Sequence, residues 1–541
     1  MKVLQKMLLV PLAAGALLLS DVAVAQTTLD LSVAVKGSDL HLISPNIYGM
    51  SGFSLDPTFA KEIALPNFRW GGDATTRYNW LVDSSNSGKD WYYIGGSGVA
   101  TPTPSGQVDT MIDTFRPAGT KGLITIPIIP YINSTSQSTC SYRESVYGAQ
   151  QSYDPYLTVA PDNDQCGNGV DLDGHQLADT NIYYNHINNT IAIQKAWVRY
   201  LVRKHGNGER DPIHYFQLDN EPGGWGNTHV DVQPNGATYP TIVALGEQYA
   251  TTIKEADPSA EVFGPSDFTL GGWVGTPSQQ NGLWAGQYYL QQFAAYDKQN
   301  RRRSLDYFDE HYYGNGGSDP AEIQTTRALW DPTYNSGTWV EQWDFDGPMQ
   351  LIPRFQSWIK QYYPGTKLSF SEYSLTNGGT TIYDALTEAD ALGIFGREGV
   401  GLANLWTIPA PTDPVAFSYR LFRNYDGKGS QYGNLWVDSV SEDQTQLSIY
   451  GALRTQDSTL TLVIINKTDN PITGNVTLNG IEAAGNLAPA YLYSGANLTA
   501  IVPQHGIVLS RKDDAVTSFT NQFPAYSATV VAIPQRREFG K

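Results

Sequence analysis

The chain has 541 residues, of which 41% are hydrophobic and 16% charged, so it can bury a large core and is not disordered as a whole. Its 35 lysines and arginines against 53 acidic residues leave a net charge of −18, which argues against binding to nucleic acid or anionic membranes. The length suits one large domain with a smaller module.

The first 25 residues are predicted to be an export signal. Lys2 and Lys6 carry positive charge, residues 7–19 form an apolar run, and Ala23 to Ala25 form a small-residue cleavage site. A buried N-terminal helix is the alternative, and the run is short for a membrane span. No other apolar run in the sequence is long enough to cross a bilayer. We therefore expect a secreted protein, extracellular or periplasmic, that contacts no membrane once the signal is removed.

Short apolar segments that alternate with helical ones predict an α/β fold, a (β/α)₈ barrel of the TIM type over residues 45–431. Helices are expected between the strands, for example at residues 190–203 and 241–255. The eight predicted strands are residues 46–50, 67–70, 123–129, 214–220, 261–264, 305–311, 368–372 and 402–406. Because the strands of such a barrel all end at one rim, residues that follow them are expected to meet there.

After residue 431 the pattern changes to strands separated by short turns, which predicts an appended all-β sandwich over residues 432–541. Its clearest strands are residues 446–454, 459–465, 472–478 and 528–533. The strand-like residues 26–44 are expected to join this sandwich, so that both chain ends meet in one module. No low-complexity linker separates the two regions, which favours rigid packing between them.

Cys140 and Cys166 are the two cysteines of the chain. In an exported protein they are expected to form one disulfide, with two buried free thiols as the alternative. The segment 162–174 is rich in oxygen ligands, including Asp162, Asp164 and Asp171, and could hold a structural calcium ion. It lacks the spacing of an EF-hand, and a solvated turn fixed by the disulfide is the alternative.

Two glutamates stand at the ends of the fourth and seventh predicted strands. Glu221 precedes Pro222, which cannot continue a strand ladder, and Glu372 ends the strand at residues 368–372. Cleaving a glycosidic bond requires two carboxyl groups, one to protonate the leaving oxygen and one to attack or to activate water. One strand-end glutamate alone could be a turn cap or an ion-pair partner. The two together predict a glycosidase in which Glu221 is the general acid/base and Glu372 the nucleophile.

Other strand-end residues are candidate partners of these glutamates. A buried Arg69 would need a carboxylate and is expected to pair with Glu372, although a structural salt bridge elsewhere is the alternative. Tyr313 is expected to donate a hydrogen bond to the same carboxylate. Asn220 could bind a sugar hydroxyl. His311 could orient a neighbour or be an ordinary core histidine.

The chain contains 13 tryptophans, 33 tyrosines and 18 phenylalanines, more than core packing usually needs. Sugar rings present apolar faces on which aromatic rings can lie. Trp406, at the end of the eighth predicted strand, is the preferred candidate for the floor under the cleaved sugar. Further candidate stacking platforms, each of which could instead be a packing residue, are Trp225, Trp80, Trp273 and Trp343.

Five motifs in this order resemble glycoside hydrolase family 44, and the resemblance extends over essentially the whole chain after the signal. They are FRWGGD at 68–73, LDNEP at 218–222, DYFDEHYY at 306–313, FSEY at 370–373 and RNYDGKGS at 423–430. The resemblance implies a barrel with an appended sandwich and retaining, endo-acting hydrolysis of β-1,4-glucans. By matching motif it implies Glu221 as the acid/base and Glu372 as the nucleophile. It also strengthens the expectation of a bound calcium ion.

These observations together predict a secreted, monomeric, retaining endo-β-1,4-glucanase that acts on xyloglucan or cellulose-type β-glucans and needs no cofactor for its chemistry. One alternative is another retaining barrel glycosidase, such as an arabinofuranosidase or a xylanase. A second alternative, from a different class, is a noncatalytic carbohydrate-binding protein. Acyl transfer is disfavoured because the sequence has no G-x-S-x-G motif.

Overall fold

The computed structural model describes residues 27–35, 39–159, 163–207, 211–268, 281–314, 319–338, 341, 347–376, 378–512 and 515–536. The predicted export signal lies outside these residues, as do Asp162, Trp273 and Trp343. Within the described ranges, no helix is long and apolar enough to span a membrane. The chain folds into a barrel and a β-sandwich, which confirms the predicted fold class.

Eight parallel strands close into a barrel in which each strand pairs with its neighbours in chain order. Each predicted strand overlaps one of them, so the barrel prediction is confirmed. The barrel strands, numbered first to eighth below, are Gly49–Ser51, Asn67–Trp70, Lys121–Ile126, Ile213–Leu218, Glu261–Phe268, Tyr307–Tyr313, Lys367–Ser374 and Leu402–Leu405.

Helices occupy the connections between these strands. Ile191–His205 shows why they form: the Thr190 hydroxyl accepts the Ile193 N–H at its start, and buried residues recur every three or four positions. The α-helices are Pro57–Glu62, Asp73–Thr76, Gly106–Phe115, Glu144–Tyr147, Ile191–His205, Trp225–Thr228, Tyr239–Ala256, Ala285–Asn300, Leu351–Tyr362, Ile382–Arg397 and Pro414–Arg423. The 3₁₀ helices are Pro45–Tyr48, Gly88–Trp91, Arg116–Ala118, Ile182–Tyr184, Pro222–Gly224 and Asp319–Leu329.

The interior of the barrel is layered. Near the amino ends of the strands an apolar cluster fills it, formed by Leu123, Tyr215, Phe263, Tyr307 and Leu402. Toward the carboxyl ends the buried side chains become polar, and they are Arg69, Gln217, His311, Ser371 and Asn404. Buried polar groups need hydrogen-bond partners. Arg69, Gln217, Ser371 and His311 are connected by hydrogen bonds at the rim where the two glutamates were predicted. Asn404 donates instead to the Met50 carbonyl and to Asn67.

The sandwich contains strands from both ends of the chain. Thr28–Ala34 pairs antiparallel with Leu435–Ser441 and parallel with Ile472–Ile481. Its residues alternate between buried and exposed, as expected for a strand with one face on a core. The other strands after the barrel are Leu447–Arg454, Thr459–Asn466, Leu487–Ala488, Ala490–Ser494, Asn497–Pro503, Ile507–Val508, Ser510–Lys512, Ala515–Phe523 and Ser527–Pro534. The exact domain bounds stay predictions.

Further short strands lie outside the eight barrel strands and the sandwich strands given above. They are His41–Leu42, Ser85–Asn86, Ile94–Gly96, Tyr131–Asn133, Thr139–Cys140, Tyr153–Val159, Asp164–Gly167 and His186–Asn188. Except for His41–Leu42, which pairs with the sandwich, they form small two- and three-stranded sheets. These sheets belong to the long connections that follow the second and third barrel strands.

A buried ion pair joins the barrel to the sandwich. Asp390, on the helix Ile382–Arg397, accepts a hydrogen bond from Lys467 at 2.6 Å, and both side chains are at most 1% exposed. Its carboxylate also accepts hydrogen bonds from Ser448 and Tyr450 of the sandwich, at 2.8 and 2.7 Å. Because a buried charge is tolerated only when its hydrogen bonds are satisfied, this contact ties the two domains together.

Candidate active site

The two predicted catalytic glutamates meet at the carboxyl end of the barrel. One carboxylate oxygen of Glu221, one of Glu372 and a ring nitrogen of His311 all lie within 4.8 Å of one another. Both glutamates line one cavity of about 500 Å³. His311 and Glu372 are direct neighbours in the register of the sixth and seventh strands, whereas Glu221 reaches them from the turn after the fourth strand.

A larger groove, of about 1350 Å³, lies at the opposite end of the barrel. There Lys121 and Lys367 cover the rings of Tyr215 and Tyr307, with 5.4 and 4.7 Å between ammonium and ring centre. Barrel enzymes build their catalytic sites at the carboxyl ends of the strands, not at the amino ends. The paired carboxylates therefore identify the smaller cavity as the candidate active site.

Arg69 fixes the position of Glu372. It is fully buried, and its Nη1 pairs with Oε2 of Glu372. Its Nε donates to Oε1 of Gln217 and its Nη2 to Oδ1 of Asn220, both at 2.6 Å. A Cβ atom on Gly71 would lie only 2.4 Å from Cζ of Arg69, so glycine at this position leaves room for the guanidinium. The structure thus contains the Arg69–Glu372 pair that the sequence predicts.

The surroundings of Glu372 favour its ionised form. Burial raises the pKa of Glu372, but the Arg69 guanidinium, the electrostatic effect of His311 and the Tyr313 hydroxyl outweigh it and hold the pKa below its ordinary value. Tyr313 donates its O–H to Oε1. Burial and the charge of Glu372 in turn raise the pKa of Tyr313, so the hydroxyl keeps the proton that it donates. An ionised, oriented carboxylate is what a nucleophile requires.

Glu221 lies on a turn with an uncommon backbone. Asp219 and Glu221 have φ angles of +67° and +45°, in the left-handed region, and Pro222 then begins a 3₁₀ helix. The Glu221 N–H donates to the carbonyl of Ser266 at 2.9 Å, which ties the turn to the fifth strand. Oε1 of Glu221 lies 2.8 Å from Nδ1 of His311. The backbone therefore directs this carboxyl group toward the cavity, where its side chain is 17% exposed.

Asn220 lies in the cavity wall, held between Arg69 and Asp73. Its Nδ2 donates to Oδ1 of Asp73 at 2.7 Å. Burial, and then the negative charges of Glu221 and Asp90, raise the pKa of Asp73. Asp73 is the last residue of the motif at residues 68–73, but the motif did not indicate its role. Its contact with Asn220 forms only when the barrel closes.

Asp90 and Trp91 also line the cavity, and no sequence pattern indicated them. They belong to the 3₁₀ helix Gly88–Trp91, in the connection after the second barrel strand. Burial and the charge of Glu372 raise the pKa of Asp90. Trp91 is 43% exposed and stacks on Tyr156, with ring centres 5.9 Å apart. These two residues extend the cavity wall beyond the barrel rim.

The predicted aromatic platforms fall into two groups. Trp406 lines the cavity next to Phe53, and the two rings meet edge to face with centres 5.8 Å apart. Trp225, by contrast, is fully buried, because the turn after Glu221 packs its ring into the main core. This corrects the expectation that Trp225 stacks on substrate. Trp80, at 9% exposure, packs in the same core.

Cys140 and Cys166 form the predicted disulfide, with their Cα atoms 5.9 Å apart. The bond joins the short strand Thr139–Cys140 to the strand Asp164–Gly167 of a hairpin. It therefore fastens the hairpin that carries Tyr156 to an earlier part of the same connection, the one that follows the third barrel strand.

The predicted calcium ligands are not brought together in the described part of the chain. Asp164 accepts the N–H and hydroxyl of Ser145. Asp171 groups instead with Asp173 and His175, within 4.8 Å. Calcium prefers oxygen ligands, and a histidine nitrogen does not suit it. The donors in the described part of the chain therefore do not match a calcium site.

Comparison with known proteins supports the resemblance seen in the motifs. The family model of glycoside hydrolase family 44 matches residues 84–316, a range that includes Glu221 and His311 and ends before Glu372. Endoglucanase A of Paenibacillus lautus is 31% identical over 477 residues, which cover 82% of this chain. The chain spans 64% of the length of that relative.

Two solved structures share both domains of this fold. CelM2, a bifunctional glucanase-xylanase from a metagenome library, is 30% identical with a TM-score of 0.86. A family 44 xyloglucanase of Paenibacillus polymyxa, solved with xyloglucan, is 26% identical with a TM-score of 0.77. Both comparisons cover 94% of this chain and 100% of the other chain. Given its barrel with appended sandwich, its two strand-end glutamates and this similarity along nearly its whole length, the chain belongs to glycoside hydrolase family 44.

Proposed function

We propose that this protein is a retaining endo-β-1,4-glucanase that cleaves xyloglucan, cellulose-type β-glucans or both by double displacement. The observation that carries the proposal is the short gap between the carboxylates, since an oxygen of Glu221 lies within 4.8 Å of an oxygen of Glu372. Retaining glycosidases place these groups about 5–5.5 Å apart, whereas inverting ones keep about 6.5–9.5 Å to admit a water. A gap this short between the two carboxylates supports direct attack by one of them on the anomeric carbon.

The two glutamates then have distinct roles. In the first step Glu372 attacks the anomeric carbon while Glu221 protonates the leaving oxygen, so the glycosidic bond breaks and a glycosyl-enzyme forms. In the second step Glu221 takes a proton from a water that attacks the same carbon, which releases Glu372 and a sugar of unchanged configuration. Arg69 and Tyr313 support this assignment because they hold Glu372 ionised. The two carboxyl groups supply both nucleophile and proton, so neither step requires a cofactor.

The cavity wall suits a β-linked glucan. Asn220 and Asp73 offer hydrogen-bonding groups, and Trp406, Phe53 and Trp91 offer rings on which sugar faces can lie. The relatives named glucanase, xylanase and xyloglucanase support a β-1,4-linked polymer as the substrate class. A xylanase, an arabinofuranosidase and a noncatalytic carbohydrate-binding protein are the alternatives.

The test is incubation of the purified protein with xyloglucan, carboxymethyl cellulose, xylan and mannan. Product lengths are measured by chromatography and the first-formed anomer by NMR. We expect oligosaccharides of mixed length from a glucan, with the β-anomer formed first. The α-anomer as first product would refute double displacement. Release of pentoses alone would support the other glycosidases, and binding without new reducing ends would support the noncatalytic alternative.

Secretion, oligomeric state and metal content are further parts of the proposal. N-terminal sequencing of exported protein should find Gln26 as the first residue, and an intact residue 1–25 segment would contradict export by this signal. Light scattering should give the mass of a monomer. Elemental analysis of dialysed protein decides between the calcium ion that the sequence predicted and its alternative, a solvated turn fixed by the disulfide.

A further inference from the structure

The turn that carries Glu221 is held from both sides by buried carboxylates that lie outside the cavity. On one side Asp219 accepts the N–H groups of residues 128 and 129, at 2.6 and 3.0 Å. On the other side both carboxylate oxygens of Asp267 lie 3.1 Å from the N–H of Gly223 and accept it. The turn is thus fastened to the ends of the third and fifth barrel strands.

Asp267 differs from Asp219 because it also interacts with the charge of Glu221. It is fully buried at the end of the fifth strand, where the Tyr239 hydroxyl donates to Oδ2 at 2.9 Å. Burial raises the pKa of Asp267 to about 7, and the charge of Glu221 adds to the rise, against hydrogen bonds that lower it. Asp267 and Glu221 therefore interact in two ways, through the backbone of the turn and through their charges.

The other titratable groups around Asp267 come from three further elements. Tyr239 belongs to one adjacent helix, Tyr289 to the next, and Glu310 to the sixth strand. Burial raises the pKa of all three, so the tyrosines stay neutral and Glu310 keeps its proton well above the ordinary range of a glutamate. Among these groups, Asp267 is the one that changes its charge near neutrality.

We propose that Asp267 is a positioning residue for the acid/base: it fixes the turn that carries Glu221 by accepting the Gly223 N–H, and its charge acts on the step in which the proton is transferred. The inference rests on the proposed function, because it concerns the step in which Glu221 protonates the leaving oxygen. On its cavity side Glu221 faces His311, Glu372, Asp73 and Tyr313. A substitution at Asp267 alters none of these four side chains, so its effect on kcat/KM can be measured separately from theirs.

The decisive variant is Asp267→Asn, which keeps the size of the side chain and removes its charge. It is assayed on xyloglucan and on an aryl cellobioside with an activated leaving group that needs no proton. We expect the alkaline limb of kcat/KM on xyloglucan to move to lower pH by about half a unit or more. The kcat/KM on the aryl cellobioside should change little. Asp267→Ala, which also removes the acceptor of the Gly223 N–H, should lower kcat/KM on xyloglucan by about 10-fold or more.

Glu310→Gln is the matched control, because Glu310 is equally buried on the neighbouring strand and faces Asp267 and Asp309. It should keep the wild-type alkaline limb, and thermal unfolding should show that each variant is folded. An unmoved limb in Asp267→Asn, an equal shift in Glu310→Gln, or equal losses on both substrates in Asp267→Ala would each overturn the inference. If the wild type hydrolyses neither substrate, the proposed function fails instead.

Discussion

Replacing Arg69 with methionine tests the electrostatic pairing on which Glu372, the proposed nucleophile, depends. Methionine is apolar and removes the guanidinium that binds Glu372, Asn220 and Gln217. The hydroxyl of Tyr313 would remain as a partner of Glu372. Because burial raises the pKa of Glu372 and Arg69 is the largest opposing influence, we expect this carboxyl group to take up a proton at a higher pH in the variant.

The size of the effect follows from burial. The Arg69 side chain is 0% and the Glu372 side chain 10% exposed, so solvent screens the pair little. Removing one partner of a buried pair costs about 3–5 kcal/mol of stability, and one pKa unit corresponds to about 1.4 kcal/mol. The acid limb of kcat/KM should therefore rise by about two pH units or more.

The effect on stability has a defined pH dependence. The pKa of Glu372 is lowered in the folded protein, so the stability supplied by its ionisation is complete above the ordinary value of 4.5. That stability is lost as the pH falls through the folded pKa. The difference in unfolding free energy between wild type and Arg69→Met should thus be largest near neutral pH and shrink in acid.

The assay is kcat/KM on xyloglucan across the pH range, together with urea unfolding at neutral and acidic pH. Lys467→Met is the control, because it removes a partner from the equally buried Asp390 at the interface between barrel and sandwich. It should lower stability without moving the acid limb. An unmoved acid limb in Arg69→Met, or the same shift in Lys467→Met, would refute the assigned role of Arg69.

Four further outcomes are expected. Glu221→Gln should lower kcat/KM on glucans by about 10²–10⁴-fold and on an activated aryl glycoside far less, whereas equal losses would exclude it as the acid. Glu372→Ala should abolish turnover until azide is added, and NMR should then detect a glycosyl azide of inverted configuration; failure of rescue would count against the nucleophile assignment. Trp406→Ala should raise KM for glucans in steady-state assays, and an unchanged KM would remove it from the binding site. Cys140→Ser opens a loop of sequence separation 26 and should lower the free energy of unfolding by about 3 kcal/mol in urea titrations, as reduction of the wild type should also do.

The barrel strands could be predicted because their signal is local. A short apolar run such as residues 123–129, between Gly122 and Pro130, can be recognised without knowledge of distant partners, and the strand Lys121–Ile126 lies there. The same holds for the positions of Glu221 and Glu372, since each lies within three residues of the end of its strand. Boundaries were less accurate: residues 46–50 were predicted as the first strand, and the structure has Gly49–Ser51 there because Pro45–Tyr48 forms a 3₁₀ helix.

Sequence periodicity and chain order by themselves determined the barrel, the added sandwich and the two strand ends that carry glutamates, because those patterns act over a few residues. Only the tertiary structure decided which side chains surround these glutamates. Barrel closure brings Asp73, from the helix after the second strand, and Asp267, from the fifth strand, close to Glu221. It also buries Trp225, where the sequence suggested an open platform. Such contacts depend on long-range packing and on the register between strands, which local patterns do not contain.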